Sequence, residues 1–161
     1  MMKSSLSPFQ SLIIVIVSFV IASVVNIYPM GLQASFLRPM ALIMVLVFWL
    51  IFMPRYVGVI TAFGIGIICD LLLDTRLGQQ AFAAVIMAFG VRFMGQYIKQ
   101  LNFSLAWTVA AIALIVFQFA LWIVQYITQN IFYSSAIFNL LVSILTWPLV
   151  FMPLIRFIKK L

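Results

Sequence analysis

Charge is so scarce in this chain that water cannot be its principal solvent. Of 161 residues, nine are Lys or Arg, the two acidic residues are both Asp, and there is no His. Hydrophobic residues make up 67% and charged residues 7%, against roughly 45–50% and about 25% in soluble domains. A polar surface, a metal cage and an acid/base site all need side chains that this sequence hardly has. The alternative solvent is lipid, in which a helix needs about 20 mostly apolar residues to cross the hydrocarbon core.

The apolar runs divide the chain into six candidate spans, at about residues 9–28, 37–53, 56–73, 80–98, 103–128 and 136–158. The fold class they predict is an all-α integral membrane protein, organised as one membrane domain over residues 1–161. The first run follows Lys3 and superficially resembles a signal peptide. It continues from Leu12 to about Tyr28 and is followed by further apolar segments, so it is predicted to stay as an uncleaved first span. The second is the anomaly. Between Arg38-Pro39 and Pro54-Arg55 there is room for only about 22 Å of helix at 1.5 Å per residue, so either the helix starts nearer Phe36 or the bilayer thins around it. Pro148 and Pro153 are predicted to kink the sixth span.

The net charge of +7 would suggest nucleic acid in a soluble protein, but the basic residues are scattered singly and serve better as a topology signal. With both termini cytoplasmic, Lys3, Arg55, Arg92, Lys99, Arg156, Lys159 and Lys160 fall inside, and only Arg38 and Arg76 outside. Tyrosine prefers the membrane interface, and all five sit at span ends: Tyr28, Tyr126 and Tyr133 outside, Tyr56 and Tyr97 inside. Arg92, about two turns inside the fourth span, is expected to snorkel to the cytoplasmic face.

The third span carries the most ordered pattern: Gly58, Ala62, Gly66, Asp70 and Asp74 recur every four residues and therefore stack along one helix surface. Small residues at that spacing let another helix approach closely, and Gly64 thins the helix further. The seam leads to Asp70, the one acid inside a span, where a charge costs at least about 2.5–3.5 kcal/mol at mid-depth and demands a partner. By depth, the expected partner is Arg38, with Arg76 as the alternative. Gln118, near mid-bilayer on the fifth span, is expected to form an interhelical hydrogen bond; Gln125 lies two turns further on. The lone Cys69 reads as a small buried hydrophobe. No cofactor, metal or catalytic constellation is predicted, because two Asp in succession along one helix do not converge on a site and neither His nor a Cys pair is available.

Phe36-Leu37-Arg38-Pro39, Trp49, Pro54-Arg55, Gly58, Phe63-Gly64-x-Gly66, Asp70-Leu71 and Leu77-Gly78, in this order and spacing, resemble the pattern of the MreD rod shape-determining membrane proteins. The resemblance covers essentially the whole chain, with Asp74 as a departure where a small or polar turn residue is expected. It implies a non-enzymatic scaffold in the inner (cytoplasmic) membrane of a bacterium. Such a scaffold would support lateral peptidoglycan synthesis by binding the single-span protein MreC and acting with MreB, RodZ, RodA and its cognate transpeptidase. Membrane lipid is then the surrounding partner and nucleic acid is not one. The family is also similar in topology to the substrate-binding subunits of energy-coupling-factor transporters. That similarity implies an alternative, a subunit binding a small molecule near the outer face, with Asn26, Gln33, Asp70, Gln125, Asn130 and Tyr133 as dispersed candidates.

Overall fold

The computed structural model describes residues 8–27, 39–97, 102–129 and 135–160. Within them the chain forms six helices: α1 (Pro8–Ile27), α2 (Ala41–Phe52), α3 (Val59–Leu72), α4 (Gln79–Tyr97), α5 (Phe103–Gln129) and α6 (Ser135–Lys160). Three of these, α1, α5 and α6, are long and apolar enough to cross a membrane, while α2 and α3 are shorter apolar helices.

The second helix corrects the sequence reading. It starts at Ala41, later than either boundary anticipated, because Pro39 and Met40 are not helical and Met40 has ψ 63°. Its 12 residues cover about 18 Å. A helix this short cannot reach both bilayer surfaces, and its unpaired end groups would be stranded in hydrocarbon unless protein surrounded them. Protein does surround them. Every residue from Ala41 to Leu50 is buried, and α2 contacts all five other helices. The remaining neighbours, α1 with α3, α3 with α4, α4 with α5 and α5 with α6, form an incomplete ring around it. Among the described residues α1 and α6 do not meet.

Polar side chains on the ring fasten this central helix. At its start, the Met40 N–H donates to Ser143 Oγ of α6 at 3.0 Å, and Ser143 in turn donates to the Asn139 carbonyl. Further along, Trp49 Nε1 donates to Ser18 Oγ of α1 at 2.8 Å, while the Ser18 hydroxyl donates to the Val15 carbonyl. At the far end Phe48, Phe52, Trp147 and Phe151 form an aromatic cluster between α2 and α6.

The prolines of α6 are accommodated within one continuous helix. A proline cannot donate to the carbonyl four residues earlier, so Pro148 leaves the Ile144 carbonyl free. Trp107 Nε1 of α5 donates to it at 3.1 Å. The bond broken within one helix is thereby replaced by one between two helices, as a low-dielectric surrounding requires.

If α2 is the packing centre, truncation there should be costly and truncation on the outer surface should not. Leu46→Ala, at a fully buried position, should cost about 2–5 kcal/mol, read as a fall in thermal unfolding midpoint in detergent. Ile60→Ala, at a residue 88% exposed, should leave the midpoint within error.

Candidate functional site

The turn between α3 and α4 holds the buried acid of the sequence. Asp70 is fully buried, and its carboxylate accepts from the Gly78 N–H at 2.8 Å, the Gln80 N–H at 3.0 Å, the Ala81 N–H at 3.5 Å and the Thr75 hydroxyl at 2.9 Å. Three of these donors belong to the N-terminus of α4, whose first amides lack intrahelical acceptors and carry a partial positive charge. Asp70 therefore caps a helix other than its own. The expected cation, Arg38, lies outside the described residues. Arg76, the alternative, donates to the Thr128 carbonyl at 3.0 Å, and Gln79 donates to the Thr128 hydroxyl, which ties this turn to the end of α5.

The small-residue seam explains how α4 comes close enough to be capped. A Cβ on Gly66 would stand 2.7 Å from the Ala81 nitrogen and 2.9 Å from the Gln80 carbonyl oxygen, so the backbones of α3 and α4 touch at this point. Ala62, one turn earlier, is fully buried. Gly58 precedes the helix in an extended conformation, and a Cβ there would meet only the Arg92 guanidinium at 3.4 Å. Gly64 has open space around it, so it is not part of the seam. Asp74 lies beyond the helix, exposed and in the left-handed region with φ 49°, which Asp and Asn tolerate better than most residues. Gly78, with φ 98°, completes the reversal.

Arg55, Arg92 and Arg156 lie towards the end of the bundle opposite this turn, as the helix directions require. Among the outer-end candidates, Gln33, Asn130, Tyr28 and Tyr133 are outside the described residues, as are Lys3 and Lys99.

Alongside the turn, the same end of the bundle contains a cavity of about 330 Å³. Its floor is the start of α2, including Pro39 and Met40, and its walls carry Asn26 of α1, Gln118 and Gln125 of α5 and Asn139 of α6. Gln118 is 2% exposed. In place of the expected interhelical bond, its Oε1 is buried without a hydrogen-bond partner, and so are Gln125 Oε1 and Asn139 Oδ1. Cys69, free and buried, lines the same space.

The capping role of Asp70 was missed because the usual signal places the capping side chain immediately before its helix. Here Gly78 occupies that position without a side chain, and the carboxylate arrives from eight residues upstream. Asn139 and Ser143 carry no spacing that marks them, and only the packing of α6 against α2 brings them to the site.

These features define an all-helical, multi-pass membrane protein whose polar groups gather at one end of the bundle around a short central helix. The chain belongs to the MreD family: a family model described as rod shape-determining protein MreD matches residues 7–158. It is 29% identical over 146 residues to the rod shape-determining protein MreD of Haemophilus influenzae, covering 88% of each chain. No solved structure matches it.

The two glycines and the two acids of α3 and its turn should separate cleanly in thermal unfolding. Gly66→Ala must push α3 off α4 and should cost about 1–3 kcal/mol, whereas Gly64→Ala should be neutral or stabilising by up to about 1 kcal/mol. Asp70→Asn should cost about 1–2 kcal/mol through the weakened cap, and Asp74→Asn should change little.

Proposed function

We propose that this protein is a non-enzymatic scaffold of the bacterial cell-wall elongation complex. In this reading it spans the inner (cytoplasmic) membrane six times with both termini in the cytoplasm, binds MreC, and supports lateral peptidoglycan synthesis together with MreB, RodZ, RodA and the cognate transpeptidase. The observation that carries it is the match to a shape-determining family along nearly the whole chain. The structure fits a role in holding partners. Both carboxylates serve local architecture: Asp70 caps α4, and Asp74 stands in an exposed turn. The outer faces of α1, α4 and α5 carry large apolar side chains, among them Val20, Phe89 and Ile127, suited to lipid or to a partner's membrane helix. Asymmetry of charge supports the orientation, since Arg55, Arg92 and Arg156 stand opposite Arg76 across the bundle.

Depletion in the native rod-shaped host, combined with co-purification from its membranes, tests the proposal. Loss of the protein should round the cells, and the tagged protein should retain MreC. Cells that stay rod-shaped, together with a purified protein that carries no MreC, would contradict it.

A further inference from the structure

We infer that the cavity at the start of α2 is a binding site for an uncharged, hydroxyl-rich group such as a sugar or polyol ring, held by the carboxamides of Gln118, Gln125 and Asn139. This is independent of the scaffold reading and holds whether or not MreC is the partner.

The cavity is a consequence of the length mismatch within the bundle. α2 has 12 residues while α5 has 27 and α6 has 26, so the longer helices rise past its N-terminus and enclose a space above it. Gln118 lies about 10 Å deeper along α5 than Gln125, so the polar lining descends well below the bundle's end. A carboxamide oxygen buried without a donor is destabilising, and the three residues that carry such an oxygen all line this one space. The opposite kind of group is present as well, because the floor is the first turn of α2: the Met40 amide is taken by Ser143 and the Ala41 amide by the Pro39 carbonyl, which leaves the amides of Leu42 and Ile43, both lining residues, as the donors of that turn. Acceptors on the walls and donors below suit a hydroxyl, which both donates and accepts. Among the described lining residues there is no Asp, Glu, Lys or Arg, so nothing there offsets the desolvation of an ion. The volume falls within the range of small-molecule sites.

The hydroxyl-rich group can reach this site as a free solute or as the headgroup of a neutral glycolipid. Full-length protein in phosphatidylcholine nanodiscs, doped in parallel with glucosyl-diacylglycerol, diacylglycerol or phosphatidic acid, would be examined by native mass spectrometry. Methyl glucoside would be added to an undoped sample and its effect read as a shift in thermal midpoint. Retention of the glucosyl lipid over diacylglycerol, or stabilisation by methyl glucoside alone, supports the site and identifies its source. Occupancy or stabilisation should fall about tenfold in Gln118→Leu/Asn139→Leu and stay unchanged in Thr108→Val, which is on an exposed face. The ligand-free double variant should unfold no earlier than the wild type, because the oxygens removed have no partners. Preference for phosphatidic acid, binding unaltered by the double substitution, early unfolding of the ligand-free variant, or no binding of any probe, the cavity then holding water only, would each overturn the inference.

Discussion

A helix too short to cross a bilayer has to bring its own surroundings, and this constraint on α2 organises the rest of the molecule. Association of helices in lipid has no hydrophobic drive, because hydrocarbon solvates leucine as well as protein does. What lipid cannot solvate is an unpaired backbone amide or carbonyl. The apolar sides of α2 would be at ease in either medium, but its ends, some 18 Å apart by helical rise, would not. Enclosure by five helices, with Ser143 accepting the Met40 amide, removes that penalty. The aromatic cluster at the other end and the Trp49–Ser18 bond then fix the helix against its neighbours. The same logic governs Pro148, whose orphaned carbonyl at Ile144 is met by Trp107.

The α3–α4 hairpin solves a related problem for charge. A carboxylate within an apolar bundle is tolerable when its field is matched locally, and a helix N-terminus supplies both donors and a favourable dipole. That solution requires close backbones. Gly66 permits the approach, Thr75 closes the carboxylate from the side, and the left-handed residues Asp74 and Gly78 turn the chain so that the α4 amides face back. Seam, acid and turn are therefore one device, and it explains why the pattern from Gly58 to Gly78 reads so distinctly.

Much of this was legible in the sequence. Hydropathy alone placed α1, α4, α5 and α6 to within two residues of their observed ends, because long apolar runs bounded by polar turns leave little freedom. The four-residue repeat located the surface of α3 that packs against another helix at Ala62 and Gly66. What remained hidden depended on contacts distant along the chain. A shortage of charged residues makes an arginine the natural partner for Asp70; Arg38 lies outside the described residues, and the partners seen on the carboxylate include backbone amides, which every sequence possesses and no composition reveals. The central position of α2 was equally invisible: its uniformly apolar sequence is as compatible with lipid on all sides as with protein. Gln118 was expected to join two helices, and it borders a cavity because α2 stops short beneath it.

Enclosure of α2 is the central claim, and labelling with a small lipid-soluble carbene reagent tests it without altering the chain. After photolysis in native membranes and digestion, peptides from the exposed face of α1, which includes Ile16, Val20 and Val24, should carry label. Residues 41–50 should carry almost none. Labelling of residues 41–50 at a level comparable to α1 would mean that α2 faces lipid, and the account of the bundle built around it would be contradicted.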